Sequence, residues 1–344
     1  MAPNITTISW RRFSFCTRRP DQKDKTMSQI PTIKLHNGVS MPMLGYGTFL
    51  STNPEELKAA LRSALDAGYR YIDTAHYYNN ENVIGDVLQE YYKTGKLKRS
   101  DVFIATKLAI FGHSNVDFYL KQSLANLKTD YIDLYLMHSA MPFKEAGKNI
   151  PVVENGNVVP DMYPRIKTWR VFEKHYKAGL VRSIGICNYN AKQLEELYTQ
   201  AEIKPHNLQI ELHILLQQHE LVGLCRKLNM SVTAYGPLGS PGSAEFRQTQ
   251  FGQPHIKGDC LGHPLVKELA KKYNKSPAQI LLRQIVQRGV TVIPKSTNPT
   301  RIKENCNIFD FKLSDEDMKR MADIEENIRI FTFEFARVHP WYPW

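Results

Sequence analysis

A closed barrel of eight parallel β-strands, each followed by a helix, is the fold this sequence predicts, and three observations carry it. Short runs crowded with β-branched and aromatic residues alternate with helix-like segments at a period near 30 residues. Eight such units follow one another, a number that favours closure over an open doubly wound sheet. The runs also end alike: YRYID, VFIATK and YIDLYLMH leave Asp73, Lys107 and His138 at their polar exits, 34 and then 31 residues apart, with Tyr78 a short loop beyond Asp73. Asn188, Gln209, Tyr235 and Lys295 repeat the pattern in later units. In a closed parallel barrel all these exits meet at one mouth, where that fold keeps its active site.

Taken in order, TIKLHNGVSMP reads as two short strands joined by Asn37-Gly38, a pair that tolerates positive φ and so favours a hairpin, placed to plug the barrel bottom. LGYGT then precedes a helix over Pro54 to Ala67, YRYID one over about Asn80 to Tyr92, and VFIATK one over Val116 to Leu127. YIDLYLMH is followed by a long loop containing ENGNVV and a helix around Ile166 to Ala178. VRSIGIC pairs with Ala191 to Ala201, and LQIEL with Gln217 to Leu228. SVTAYG leads into a Gly/Pro-rich loop from Gly239 to Gly262 and helices within Pro264 to Arg288, and VTVIP into a helix over Thr300 to Asn307. A last amphipathic segment, SDEDMKRMADIEENI, starts at Ser314, whose hydroxyl can cap the amide three residues on. The tail FTFEFARVHPWYPW is too apolar for a free terminus and should fold over something concave. A Rossmann reading fails because LGYGTF has two glycines and no third, and no acid follows about twenty residues later in the required context.

With 42% hydrophobic and 23% charged residues over 344 positions, the chain has the composition of an ordinary globular protein with room for one barrel. No apolar stretch approaches the roughly 18 residues that span a bilayer, so no membrane partner is expected. Five cysteines without CxxC or His/Cys ligand spacing point to reduced thiols and no structural metal. The net charge of +11 carries no basic run interleaved with aromatics, which argues against nucleic acid. Residues 1–26 stand apart, with six Lys/Arg, two Asp, and Trp10, Phe13 and Phe15 among the arginines. They fit either a disordered extension ahead of a folded body at 27–344, with a cytoplasmic protein, or an organellar, for instance mitochondrial, transit segment.

The chemistry begins with Tyr78. A free phenol titrates near 10, too high for ready proton exchange at neutral pH, and a neighbouring ammonium favours the phenolate. Lys107 could supply that charge, Asp73 could hold the buried lysine charged, and His138 could donate to a substrate oxygen. Taken alone, Asp73 and Lys107 would read as a structural ion pair.

These residues carry a resemblance. GYRYIDTAHYYNNENVIGDVL, FIATKL, DLYLMH, GLVRSIGICN, LQIELH, AYGPLGSPG and VIPKSTNPTRIKEN together resemble the aldo-keto reductase superfamily, over about Thr32 to Trp344 and with the terminal HPWYP string. The resemblance implies a monomeric, NADPH-dependent barrel that reduces aldehydes and ketones to alcohols. It makes Tyr78 the proton donor, tuned by Lys107 and Asp73, and gives His138 the carbonyl to orient. It places the nicotinamide carboxamide on Asn188 and Gln209, the ring on Tyr235, and the pyrophosphate by Leu238 and Ser240. The 2′-phosphate falls to Lys295, Ser296 and Arg301, adenine to Glu304 and Asn305, and Thr48, Asp73, Cys187 and Thr297 complete the cofactor contacts. A Lys-Ser pair leaving a strand, with Arg301 at a helix start, independently suits a dianion.

Departures from the family pattern matter for the pocket. Cys187 stands where serine is usual, Ser139-Ala140 where an aromatic often follows the histidine, and Phe49 in place of a common tryptophan. Phe49, Phe111, Trp341 and Tyr342 still suggest an apolar substrate pocket. A charged clasp that in several relatives closes the Gly/Pro-rich loop would need an acid at Gly242 and a lysine at Leu50, so cofactor release should be fast here. Two further readings remain open: a cofactor-sensing accessory subunit on the same fold, and a metal hydrolase, for which Asp73, His138 and His213 are the candidate ligands.

Overall fold

In the computed structural model, which describes residues 30–147, 150–154, 157–251 and 258–344, the chain opens with an antiparallel hairpin of β1 (Thr32–Lys34) and β2 (Ser40–Pro42). Segment 1–26, and with it the question of a transit signal, lies outside the described residues. Asn37-Gly38 does mark the turn, but not as a two-residue turn with both at positive φ. Only Gly38 of the pair is left-handed, at φ +86°, and the Leu35 amide donates to the Val39 carbonyl over 2.9 Å, enclosing three residues. A three-residue turn closed by a left-handed glycine is the next hairpin type in frequency.

The main sheet runs through β3 (Tyr46–Gly47), β4 (Tyr71–Asp73), β5 (Phe103–Leu108) and β6 (Leu134–Met137). A small antiparallel pair, β7 (Val153–Glu154) and β8 (Asn157–Val158), occupies the long loop after β6. The sheet resumes with β9 (Ile184–Cys187), β10 (Asn207–Glu211), β11 (Ser231–Tyr235) and β12 (Thr291–Val292). All neighbours in this eight-stranded sheet are parallel and sequential. The ring closes where the Val292 amide donates to Met43 O over 3.0 Å and the Gly45 amide to Val292 O over 2.8 Å. At that seam a Cβ on Gly47 would stand 2.7 Å from the Ile293 carbonyl oxygen, so the close approach requires glycine.

Outside the ring lie α1 (Pro54–Asp66), α2 (Glu81–Lys93), α3 (Val116–Leu127), α4 (Arg165–Lys177), α5 (Ala191–Gln200) and α6 (His219–Lys227). They are followed by α7 (Ala244–Phe251), α8 (Pro264–Tyr273), α9 (Pro277–Gln287), α10 (Pro299–Cys306) and α11 (Asp315–Ala322). Helix starts follow capping chemistry: the Asn53 side chain accepts from the Glu55 and Glu56 amides, and Ser276 and Gln279 form a reciprocal box ahead of α9. Buried Leu, Val and Ile of α1, α2 and α3 pack on the outward faces of the strands. Inside the ring, Leu35 and Met41 of the hairpin pack with Tyr71, Phe103, Leu134, Leu136 and Ile293, which makes the hairpin the floor of the barrel. Burying one such side chain as fully as Met41 stabilises the fold by roughly 1.5–3 kcal/mol.

Helix limits fall within two residues of those read from the sequence, with two differences. The Gly/Pro-rich loop contains a 3-10 turn at Pro241–Ser243 and the helix α7, which were not expected. The last helix stops at Ala322 instead of running on to Ile328. There the Gln217 side-chain amide donates to Met321 O and Ile324 O, satisfying carbonyls that a longer helix would bond itself. The Ile328 amide then donates to Leu215 O over 2.7 Å and draws the chain back to the barrel mouth.

Candidate active site

Every strand exit singled out in the sequence reaches the same end of the barrel, and most of these residues share one elongated cavity of about 680 Å³. Thr48, Phe49 and Leu50 enter it after β3, Asp73 at the end of β4 and Tyr78 after it, His138 after β6, and Cys187 at the end of β9 with Asn188 after it. Gln209, Tyr235, Leu238 and Ser240 line it further round, and Lys295, Ser296, Thr297, Arg301, Glu304 and Asn305 line its far end.

Lys107 stands behind the wall, fully buried in β5. Its ammonium donates to Asp73 Oδ1 over 2.6 Å and to Thr74 O over 2.8 Å, and lies 5.1 Å from the centroid of the Tyr78 ring. Asp73 is saturated on both sides, since Gln209 Nε2 donates to its Oδ2 over 2.8 Å. Burial, the largest single cause, works against the charge on Lys107, but the Asp73 carboxylate together with Tyr78 and Cys187 holds the ammonium above lysine's ordinary range.

For Tyr78 the net direction is opposite to the one expected from the sequence. Burial, the largest cause, pushes the phenol up to about 12; the Lys107 ammonium lowers it and offsets only part of that rise, with Asp73 adding to it. The phenol is therefore protonated at neutral pH. His138 meets the Tyr78 ring at 5.8 Å in an edge-on arrangement. Burial and then the Lys107 charge depress its basicity well below the usual range, so the ring is neutral. Its Nδ1 is buried without a hydrogen-bond partner among the described residues.

The amide side chains interlock. Asn188 sits in the left-handed region at φ +60°, which Asn tolerates better than most residues, and its Nδ2 donates to His138 O over 3.0 Å. The Tyr235 hydroxyl donates to Asn188 Oδ1 over 2.8 Å. Thr48 donates to Asp73 O over 2.9 Å. Cys187 approaches Gln209 Oε1 at 3.9 Å, a weak contact, and burial pushes its thiol up to about 12.

At the far end, Asn298 caps α10 by accepting from the Arg301 amide over 3.1 Å, with Pro299 at the first turn. Burial lowers the Lys295 pKa, with Glu56 acting weakly against it. Neither Lys295 nor Arg301 lies within ion-pair distance of a carboxylate among the described residues. Two cations, the Ser296 hydroxyl and a helix N-terminus facing one end of a cavity form a donor set that fits a phosphate dianion. The amide pair Asn188 and Gln209 beside the flat Tyr235 ring likewise fits a carboxamide-bearing heterocycle.

Three residues assigned to the substrate pocket lie elsewhere. Phe111 is buried against Tyr77 and Tyr119 outside the cavity wall. Trp341 lies with its ring over the Arg165 guanidinium, 4.9 Å away, while Gln193 Nε2 donates to its carbonyl over 2.8 Å. Tyr342 bonds back to Thr332 O. His339 Nε2, 2.9 Å from Pro142 O, turns the end of the tail away from the mouth. The tail does cover the cavity, through Phe331, Phe333 and Phe335, with Tyr77, Ile110, Met141 and Phe143 completing an apolar wall. Strand alternation does not produce this wall: Phe333 is left-handed at φ +51° and Glu334–Ala336 forms a 3-10 turn.

His213, the third candidate metal ligand, pairs with Glu211 Oε1 at 3.0 Å and takes no part in the Asp73 cluster. Among the described residues no three His, Cys, Asp or Glu side chains group as metal ligands, and no helix is long and apolar enough to cross a membrane.

Comparison with known proteins shows the family. Residues 43–326 match the model of the aldo/keto reductase family. The chain is 41% identical over 323 residues to aldo-keto reductase family 1 member A1 of Bos taurus, covering 90% of this chain and 97% of that one. It is 42% identical to member A1-A of Danio rerio over 87% of this chain and 90% of that one. The solved aldose reductase of Schistosoma japonicum superposes with a TM-score of 0.82 at 38% identity, over 91% of this chain and 98% of that one. A closed eight-strand barrel, a buried Asp-Lys pair behind a tyrosine and histidine at its mouth, and these matches along nearly the whole folded chain together make this protein a member of the aldo/keto reductase family, an oxidoreductase of small-molecule carbonyl compounds.

Proposed function

We propose that the chain is a monomeric, cytoplasmic, NADPH-dependent reductase of neutral, apolar aldehydes and ketones, with Tyr78 as the proton donor. The carrying observation is the single cavity that joins Tyr78 and His138 at one end to Lys295 and Arg301 at the other. Asn188 and Gln209 would bind the nicotinamide carboxamide, Tyr235 would face the ring, Leu238 and Ser240 would flank the pyrophosphate, and Lys295, Ser296 and Arg301 would hold the 2′-phosphate. When bound, NADPH supplies the hydride that the carbonyl carbon accepts.

The rest of the reaction falls to the chain's own groups. His138 is neutral and its Nδ1 has no acceptor among the described residues, so the proton belongs on Nε2, which can donate to the carbonyl oxygen and fix its direction. Tyr78, held protonated by burial, gives its proton to that oxygen as negative charge develops on it. The resulting phenolate faces the Lys107 ammonium, which Asp73 keeps charged and in place. The wall of Phe49, Tyr77, Met141, Phe143, Phe331 and Phe333 is apolar and offers no cation, which favours neutral apolar substrates over carboxylated or polyhydroxylated ones.

Steady-state oxidation of NADPH with a panel of aromatic aldehydes, carboxylated aldehydes and sugars tests the reading. Aromatic and long-chain aldehydes should give the highest kcat/KM. Tight NADPH binding without turnover on any carbonyl would instead favour the accessory-subunit reading, and preference for a carboxylated aldehyde would overturn the assigned substrate class.

A further inference from the structure

The helix α7, absent from the sequence reading, carries a buried guanidinium that the chemistry above does not use. Arg247 is 7% exposed, and no carboxylate lies within ion-pair distance of it among the described residues. Its NH1 donates to Ser243 Oγ over 2.5 Å, and Ser243 Oγ donates in turn to Ser240 O over 2.8 Å. Ser240 and Ser243 both line the cofactor end of the cavity, and Ser240 is held in the left-handed region at φ +44°. On its other side the guanidinium lies 5.3 Å from the centroid of the Phe331 ring, which lines the substrate end.

Phe331 is fixed from behind. Glu211, buried at the end of β10, accepts from the Ile330 amide over 2.5 Å and the Phe331 amide over 3.0 Å, with Arg329 and His213 beside it. The next residue of α7 toward its start joins the same cluster: Phe246 meets Phe49 edge-on at 5.8 Å, and Phe49 meets Phe331 at 6.2 Å. Contact between α7 and the tail therefore runs through a cation on an aromatic face and an edge-to-face aromatic pair, each of which favours a defined geometry.

We propose that Arg247 is a positioning residue that latches the cofactor-side turn Ser240–Ser243 to Phe331 of the substrate wall, so that the cofactor site and the apolar pocket form together. A buried guanidinium that reaches a serine on one side and an aromatic face on the other holds the two segments at a fixed separation, and loss of either contact loosens both. This rests on the reading that the cavity holds NADPH, and it predicts energetic coupling between two residues that the chemistry alone would treat as independent.

The test is a double-mutant cycle on NADPH affinity, measured by quenching of tryptophan fluorescence in full-length Arg247→Met, Phe331→Ala and the double variant, with Arg247→Lys as the conservative control. Arg247→Met should weaken NADPH binding about 5- to 10-fold and raise KM for an aromatic aldehyde, while thermal unfolding stays near wild type. The double variant should bind NADPH about as weakly as the weaker single variant, and Arg247→Lys should recover part of the loss. Multiplicative effects in the double variant would show that Phe331 acts only by direct contact with the bound molecule and would overturn the latch. An unchanged NADPH affinity in Arg247→Met would do the same. Failure of the wild-type protein to bind NADPH at all would instead remove the functional reading on which the latch rests.

Discussion

The ammonium of Lys107 and the carboxylate of Asp73 meet at 2.6 Å in a fully buried setting, and the second carboxylate oxygen is taken by Gln209. Removing one partner of such a pair strands the other charge, a loss of roughly 3–5 kcal/mol. Tyr78 is the neighbour that can lose its function without that structural cost. In Tyr78→Phe the ring keeps its packing on Phe49 and His138 and loses only the hydroxyl. NADPH binding should persist while carbonyl reduction falls by at least about 100-fold, the scale of acid catalysis. Titration of fluorescence alongside turnover decides it: activity within about threefold of wild type would remove Tyr78 from the role of donor.

The raised phenol also sets a direction with pH. With Tyr78 pushed up to about 12 it stays protonated through neutrality, so kcat/KM for aldehyde reduction should be level from about pH 6 to 9. Oxidation of the alcohol requires the deprotonated phenol and should climb with pH over the same range. Paired profiles in both directions check this; a reduction rate that falls tenfold between about pH 7 and 9 would mean that the phenol titrates near neutrality.

Arg301 and Lys295 should discriminate the two nicotinamide dinucleotides through the extra phosphate alone. Loss of one charged hydrogen-bond partner costs roughly 1.5–3 kcal/mol, or about 10- to 100-fold in affinity. Arg301→Ala should weaken NADPH by that factor and leave NADH nearly unchanged. Equal weakening of both would place Arg301 at some other part of the cofactor.

Histidines held neutral inside the fold, His113, His206 and His138 among them, link stability to acid. Burial holds His113 near 3 and His206 near 4, and depresses His138 as well, so each stays neutral in the folded chain where an unfolded histidine titrates near 6.5. The unfolded state therefore binds more protons between those limits. Stability should be fully present above about pH 6.5 and decline as pH falls toward 4, by up to about 1.4 kcal/mol per pH unit for each group engaged. Urea unfolding at a series of pH values reads the slope, and His113→Asn, at a position not lining the cavity, should make it shallower. A midpoint indifferent to pH over that range would mean that these rings are not held neutral.

What the sequence disclosed and what it withheld divide along a physical line. Strand exits were legible because short apolar runs rich in β-branched and aromatic residues end where solvent or chemistry begins, so Asp73, Lys107, His138 and Asn188 could be named without coordinates. The helix cap at Ser314 was equally local. The substrate wall was not local. Phe331, rather than Trp341, faces the cavity because Glu211, more than a hundred positions earlier, fixes its backbone, and no spacing rule carries that information. The pKa of Tyr78 depends on how far the fold desolvates its hydroxyl, which the identity of its neighbours does not reveal.

Release of NADP⁺ should be fast, because no charged clasp holds the Gly/Pro-rich loop. Gly242 and Leu50 both line the cavity, and neither can carry the charges with which several relatives hold their loop. Gly242 has open space around its virtual Cβ and does not adopt positive φ, so an acidic side chain fits there without strain. Leu50 already sits in the left-handed region at φ +60°, and lysine would inherit that conformation with no added backbone cost. The pair Gly242→Asp with Leu50→Lys should therefore install a partly exposed charge pair worth about 0.5–1 kcal/mol, enough to slow NADP⁺ release by about 2- to 5-fold. Because exposed pairs are screened, the effect should fade at high ionic strength. Stopped-flow displacement of NADP⁺ from the wild type, both single variants and the double variant, at low and at high salt, measures it. Slower release in the double variant alone, lost on adding salt, is the expected pattern; equal release rates in all four proteins would mean that Phe246 on Phe49 and Arg247 on Phe331 already hold the loop, leaving a charged clasp nothing to add.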